Sequence, residues 1–391
     1  MLCRTWGEAI EADWPPVAEV SDPVGGRHLL VSSHALVREV LGDPVRFRPD
    51  NALDALTPIP ISALRVLARH GFRLPPTLAN NGDESHPRLR ALVAEALHPR
   101  RVEQQRGWLT DIVRERVVGL TTLLERGEPV DLYADLAADL PLRVLARLIA
   151  LPESDTAVVK EFSRSALELF WAPLDTARQE QLADTVGRYH TALRQFAATG
   201  GGLAGQLREL AGSVDVAVGA LFFLLVAGQE TTSQFLTLLL HRLVGEPAAL
   251  AALAGGLVSA ADVVEEGLRL APPIVTWRRV AGVDTILGGT PVPKGTSVVL
   301  WLAAAGRDGE IVADRHGFVP GQRGSRRHLA FGAGAHRCVG AQLARMEATV
   351  VVEQTATVLG RVAVTGAPWC PDNLSFRMPD RLVVRLAAPG R

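Results

Sequence analysis

The chain has 391 residues, 48% hydrophobic and 21% charged, which is enough apolar content for a sizeable core and excludes intrinsic disorder. At ~100–200 residues per domain the length allows two or three units, or one large helical one. Forty-one basic against 42 acidic residues leave a formal charge of −1, so no global field attracts nucleic acid.

The three cysteines, Cys3, Cys338 and Cys370, cannot staple a chain this long and suit a reducing compartment. The first residues mix charges of both signs and lack the apolar core of a signal peptide. The longest apolar stretch, Val216 to Gly228, stops at Gln229 and Glu230, short of the ~20 residues a membrane span needs. These features predict a soluble, cytoplasmic protein without a membrane anchor.

In chain order, residues 27–32 read as a strand, and Ser33 can cap a helix carrying Ala35, Leu36, Val40 and Leu41. Residues 51–85 read as irregular, broken by Pro58, Pro60, Pro75 and Pro76, with a turn signal at Asn80-Asn81-Gly82-Asp83. From His86 to about Leu253 the pattern is helical: Leu109, Ile112, Val113, Val117 and Leu120 recur at helical spacing, as do Leu136, Leu140, Val144, Leu145 and Leu148. Gly200-Gly201-Gly202 breaks this run before its most hydrophobic helix, roughly Val214 to Leu243, which should cross the core. Short β-like runs then alternate with turns from Arg279 to Trp301. A loop rich in Gly and Arg leads to Phe331-Gly-Ala-Gly-Ala-His-Arg-Cys-Val-Gly340, then a helix to about Leu359, and Val383, Val384 and Leu386 suggest a last hairpin. No internal repeat is visible. The expected fold is mainly α with a smaller β part (α+β), a single domain over 1–391. Its β-rich parts fall near 27–50, 278–301 and 376–388, and its helical core over 86–272 and 338–359.

Four groups of residues could carry chemistry. Cys338 ends a glycine-rich loop at a helix start, where free N–H groups lower a thiol pKa and favour the metal-binding thiolate. Gly332, Gly334 and Gly340 would let backbone approach a large flat ligand, and Phe331 could pack on it. Glu230 and Thr231 put an acid beside a hydroxyl in an apolar helix, after the small Ala227 and Gly228, which is a cost unless the site meets a partner or water. Glu266 and Arg269 are three apart on a helix, a spacing usually seen in surface salt bridges. His86, Arg90, Arg279 and His336 are scattered donors with nothing anionic to unite them.

Taken in order, an acid–alcohol pair in an apolar helix, then Glu-x-x-Arg, then Phe-x-x-Gly-x-x-x-Cys-x-Gly, the chain resembles the cytochrome P450 family of haem-thiolate monooxygenases. The likeness runs from about residue 27 to the C-terminus. It implies haem b as cofactor, with Cys338 resembling the proximal thiolate ligand of its iron. Glu230 and Thr231 resemble the pair that guides protons to dioxygen, with Gly228 in the hollow beside them. Glu266 and Arg269 resemble the family's buried structural pair, and His86, Arg90, Arg279 and His336 its haem-propionate partners. Phe331, Gly332 and Gly340 would border the cofactor. The chain departs from the family at Gly306 and Gly309, at Val339, and at the approach to His86, none of which removes a catalytic group.

The resemblance further implies O2 as co-substrate and electrons from a separate ferredoxin or flavodoxin. Arg100, Arg101, Arg326, Arg327, Arg337 and Arg345 are candidate docking cations for such an acidic partner. Phe170, Trp171, Phe223, Val226, Ala227, Val275, Trp277 and Phe376 are candidate substrate contacts, an apolar and aromatic set suited to a hydrophobic small molecule of secondary metabolism. Two alternatives stand beside this reading: a peroxide-driven oxidase, and a haem-binding or recruitment module of the same fold without monooxygenase activity.

Overall fold

The structure is a computed structural model and describes residue 10, residues 14–152 and residues 156–388. Cys3 and most of the opening read above lie outside the described residues. Antiparallel strands β1 (Val17–Ser21) and β2 (Arg27–Val31) come first, and Ser33 caps helix α1 (His34–Gly42) by accepting from the Leu36 N–H at 3.3 Å. Strand β3 (Phe47–Arg48) follows. The proline-rich stretch is not irregular throughout, because Ile61–Arg69 forms helix α2 after Pro60 and buries Ala63 and Leu67. A proline ahead of the first turn removes no hydrogen bond the helix would use, so it opens the helix rather than preventing it.

Helices α3 (His86–Ala96), α4 (Pro99–Glu103) and α5 (Arg106–Glu125) lead through strand β4 (Val130–Asp131) and a π turn at Tyr133–Ala137 to α6 (Leu140–Ile149). Next come α7 (Thr156–Trp171), α8 (Thr176–Thr199), α9 (Gly202–Ala211), α10 (Val214–Ala227), α11 (Glu230–Val244), α12 (Pro247–Ala254) and α13 (Ala260–Leu270). Strands β5 (Thr276–Ala281), β6 (Thr285–Leu287), β7 (Thr290–Val292) and β8 (Ser297–Trp301) follow, then α14 (Leu302–Ala305), α15 (Ala341–Leu359), β9 (Val362–Gly366) and β10 (Val383–Leu386). One sheet has the order β1-β2-β8-β5-β3, in which β2 and β8 are parallel; β4-β10-β9 form a second, and β6-β7 a hairpin. The main core runs through α5 to α13 and α15, while two smaller apolar clusters lie against the first sheet.

The apolar helix expected over Val214 to Leu243 is two helices, broken at Gly228 and Gln229. Thr231 marks the break, its Oγ1 donating to the Ala227 carbonyl at 2.7 Å. Together the two helices reach the length and hydropathy of a membrane span, because apolar residues resume beyond Glu230. Most of that span is buried inside the protein, as a core helix would be.

The Glu266–Arg269 spacing, ordinary on a surface, is buried completely here. Arg269 donates Nε to Glu266 Oε2 at 2.9 Å and Nη2 to Oε1 at 2.7 Å. Its other donors reach the carbonyls of Gly306 (3.2 Å), Arg315 (2.9 Å) and Gly317 (3.0 Å), so every guanidinium N–H is used. Glu266 Oε1 also accepts from the Val319 N–H at 2.9 Å and from Gln322 Nε2 at 2.8 Å. The pair thereby holds the strandless segment 306–322 against α13. Arg269→Ala strands the carboxylate, with an expected loss of about 3–5 kcal/mol. Arg269→Lys, with fewer donors, should lose less, and urea unfolding of both variants measures the difference.

Candidate active site

Between the α10–α11 break, strand β5 and the loop before α15 lies an apolar hollow with about 1310 Å³ of atom-free space, part of it open to solvent. It gathers residues distant in sequence: Arg90 from α3, Phe223 and Ala227 from α10, Gly228, Thr231 from α11, Trp277 and Arg279 from β5, and Phe331, Gly332, His336, Cys338 and Gly340 from the loop. No Asp or Glu lines it.

The Cys338 N–H donates to the Phe331 carbonyl at 2.9 Å, which closes the loop on itself. Gly334 has φ +69°, and a Cβ there would collide with the Leu41 carbonyl oxygen, so glycine lets the loop lie on α1. The Cys338 thiol opens on the hollow. Contrary to the expectation from a helix start, burial pushes this thiol up from its ordinary value. The Gly340 N–H and the charges of Arg90, Arg345 and Arg337 pull it down without prevailing. The helix begins at Ala341, three residues on, with Gly340 as its N-cap. A metal cation reverses this balance, since a coordinating thiol is deprotonated outright.

Cations collect at one side. Arg90 donates to the Arg337 carbonyl, Arg279 Nη1 to the Arg278 carbonyl at 2.8 Å, and His336 Nδ1 meets the Leu78 carbonyl at 3.1 Å. His86 is not on the wall; its ring packs 4.1 Å from that of His336, and its Nε2 is buried without a partner. Burial pulls His336 down to about 4, with His86, Arg279 and Arg90 adding repulsion, and pulls Arg279 down to about 10. Among the described residues no carboxylate pairs with any of the four. Arg90 and Arg279 keep unused guanidinium donors, which an anion with acceptor oxygens satisfies, and such an anion would draw the neighbouring imidazoles of His336 and His86 toward their protonated, donating form. The donor set therefore fits haem b: one thiolate for iron, apolar and glycine-bearing walls for the ring, and two unpaired guanidinium groups with adjacent imidazoles for its propionates.

Glu230 and Thr231 do not face the same way. Thr231 is on the hollow, whereas Glu230 is fully buried off its wall, paired with Lys160 Nζ at 2.5 Å and Arg164 Nη1 at 2.9 Å. Lys160 also reaches Gln229 (3.2 Å) and Ser233 (2.9 Å), and Arg164 the Tyr133 hydroxyl (3.0 Å). Burial and the nearby Glu230 push that tyrosine up to about 12. Gly228 serves packing at the break, since a Cβ would meet the Leu224 carbonyl at 2.5 Å and Leu145 at 3.1 Å.

Of the expected substrate contacts, Phe223, Ala227 and Trp277 line the hollow, while Phe170, Trp171, Val226, Val275 and Phe376 do not. Positions 223, 224, 227, 228 and 231 share a helical face that Val226 lies off. Val275 belongs to a small core against the sheet. Trp171 stands 6.3 Å from Trp277 and 5.0 Å edge-on to Phe376, with Phe170 5.8 Å from Trp171, so these three back the indole that faces inward. Leu78, Leu224 and Ile274 are among the further apolar residues of the wall.

Nothing in the motif spacing announces Glu265, beyond its being a second acid beside Glu266. Its carboxylate takes Arg345 Nε at 2.5 Å and Nη2 at 3.1 Å, and His328 Nε2 lies at 3.2 Å. His328 Nδ1 accepts the Ala330 N–H at 3.2 Å, and the Arg345 guanidinium sits 4.5 Å from the Phe331 ring centre. One carboxylate so braces both ends of the Cys338 loop. Arg345, expected among the docking cations, is half-buried and held inward instead.

A family model described as Cytochrome P450 matches residues 258–356. The chain is similar to the cytochrome P-450 monooxygenase DoxA of Streptomyces sp. (strain C5), with 32% identity over 375 residues, covering 86% of this chain and 83% of that protein. It is also similar to the erythromycin C-12 hydroxylase of Saccharopolyspora erythraea, with 30% identity over 348 residues, covering 85% and 82%. Among solved structures, cytochrome P450 CREJ in complex with (4-ethylphenyl) dihydrogen phosphate superposes with a TM-score of 0.89 at 25% identity, covering 98% of this chain and 97% of that one.

The Glu265 brace has a signature in acid. Burial alone would raise this carboxyl, but the hydrogen bonds from His328 and Arg345 and the Arg345 charge outweigh it and hold it at about 2. A carboxyl depressed in the folded state adds stability above its ordinary value of 4.5 and loses it as pH falls from there toward about 2. Glu265→Gln should remove that part of the acid slope and cost about 2 kcal/mol at neutral pH. Urea unfolding across the acid range checks both.

Proposed function

The chain belongs to the cytochrome P450 family of haem-b monooxygenases, and from that premise we propose that it oxidises a hydrophobic small molecule of secondary metabolism in the cytoplasm, with electrons from a separate ferredoxin or flavodoxin. The observation that carries this reading is a single thiol on an apolar hollow whose charged lining residues are all cations at one side.

Cys338 would ligate the iron; Arg90, Arg279 and His336 would hold the propionates, with His86 supporting the His336 ring. Phe331, Gly332, Gly340 and Gly228 would border the macrocycle. Bound through a thiolate, haem supplies dioxygen activation, and thiolate donation favours O–O cleavage. Thr231 and its neighbour Thr232 both line the hollow, and Thr231 is the hydroxyl next to Glu230. Turning Oγ1 inward gives up its bond to the Ala227 carbonyl, a cost of about 1 kcal/mol. Behind it, Glu230 is tied to Lys160 and Arg164, whose side chains are partly exposed, so this cluster connects the helix break to bulk water. That connection is the proposed proton route, with Glu230 passing a proton toward Thr231 Oγ1 when Lys160 releases it.

Phe223, Leu224, Ile274 and the braced indole of Trp277 offer an apolar, aromatic surface with few polar anchors, which favours a hydrophobic substrate. That a relative hydroxylates erythromycin supports a natural product of antibiotic type. For electron delivery, Arg100 and Arg101 are exposed on α4, which packs on α15 behind the cysteine, and Arg327 and Arg337 are exposed nearby. Arg326 is exposed too but leans on Asp262 at 3.0 Å.

The purified protein, reduced under carbon monoxide, should show the red-shifted Soret band of a thiolate-ligated haem, and Cys338→Ala should lose it. A band that survives in the variant removes Cys338 as ligand. Arg100→Glu and Arg101→Glu should weaken ferredoxin binding at least tenfold at low salt and flatten its salt dependence. Unchanged affinity by titration calorimetry refutes the docking face.

A further inference from the structure

Strand β5 turns Trp277 and Arg279 to the hollow and Arg278 to its other face, where a second cavity lies with about 600 Å³ of atom-free space, part of it open to solvent. Its polar lining is Asp22, His28, Asn51, Asp54, Arg278 and Ser297.

Three of these satisfy one another. His28 Nε2 lies 2.9 Å from Asp22 Oδ2 and its Nδ1 2.9 Å from Ser297 Oγ, while Asp22 Oδ1 accepts the Val24 and Gly26 N–H groups at 2.9 and 2.8 Å. The other three are left with unused capacity. Arg278 is 5% exposed, donates Nη2 to the Asp54 backbone carbonyl, and has its Nε buried without a partner. No carboxylate among the described residues pairs with it. Asn51 spends its Nδ2 on the Arg279 carbonyl (3.0 Å) and Ser297 Oγ (3.3 Å), and its Oδ1 is buried without a partner. Asp54 is exposed at the solvent side.

A buried guanidinium with unused donors calls for an oxyanion with acceptor atoms. A plain anion would also face Asp54 and Asp22, whose charges reach Arg278. A plain cation would meet Arg278. One molecule that carries both charges answers both groups and supplies the donor that Asn51 Oδ1 lacks. We propose that this cavity binds a compact zwitterion of amino-acid type, its carboxylate on the Arg278 guanidinium and its ammonium against Asn51 Oδ1 and Asp54. Because Asn51 also holds the Arg279 carbonyl, a ligand there bears on the strand position of a proposed propionate partner.

The test is titration calorimetry of the haem-loaded protein with glycine, L-serine, acetate and ethylammonium. Saturable binding of glycine or L-serine is expected, at least tenfold tighter than that of acetate or ethylammonium. Arg278→Gln should abolish it. Since that buried change can unfold the chain, Asp54→Asn at the exposed side is the companion variant. It should bring glycine and acetate to comparable affinity while leaving the fold intact. In the wild-type protein the Arg278 Nε–H resonance should shift as glycine is added. Absence of saturable binding to either amino acid means the cavity holds water alone and overturns the proposal. Acetate binding as tightly as glycine makes it a simple anion site, which also overturns it, as does unchanged binding in a folded Arg278→Gln.

Discussion

Two adjacent carboxylates, Glu265 and Glu266, hold the segment that carries the cysteine. Segment 306–340 has little regular structure of its own, so its backbone groups and register must be fixed from outside. Glu266 does this through Arg269, whose guanidinium ties three carbonyls of residues 306–317 to α13. Glu265 does it through His328 and Arg345, which grip the cysteine loop before and after the sulfur. Two charges buried side by side are tolerable because each meets a cation and several hydrogen bonds, and such a satisfied network is rigid. The thiol is thereby held at a defined place on the hollow's wall by a loop without long helix or strand.

The break between α10 and α11 divides the chemistry in a second way. A continuous helix would have packed the Glu230–Thr231 neighbourhood uniformly; instead Gly228 and the Thr231-to-Ala227 hydrogen bond end one helix and begin another. Thr231 lines the hollow with its hydroxyl tied back to the Ala227 carbonyl, while the carboxylate is anchored to α7 by Lys160 and Arg164. A carboxylate kept off the apolar wall leaves that wall free of negative charge, which suits both an apolar substrate and a cofactor whose own acids need cations.

Strand β5 distributes charge by alternation. With side chains on opposite faces at successive positions, Arg279 serves the hollow and Arg278 the polar cavity behind it. Asn51 spans the two by holding the Arg279 carbonyl from the far side. Indole and phenyl rings from α7, β5 and the Phe376 region then stiffen the wall around Trp277.

From the residues alone, the mainly helical class with a smaller β part followed from hydrophobic periodicity. Ser33 as a cap and the ordered cysteine, Glu-x-x-Arg and acid–alcohol motifs could also be read there. These are local signals, each contained in a few consecutive residues. Helix α2 was hidden because prolines suggest breakage, whereas their effect depends on where the first turn falls. At Cys338 the surrounding fold pushes the free thiol up, whereas the nearby helix start read from the sequence would lower it. Which side Glu230 faces, that Arg345 turns inward to Glu265, which aromatic residues back Trp277 rather than line the hollow, and that Arg278 is left buried with unused donors were decided only by tertiary packing. Each depends on partners 60 or more residues away, except where the break in α10–α11 sets the direction. Pairings at that distance leave no periodic trace in the sequence, because burial and partner choice are set by how the helices and the sheet come together.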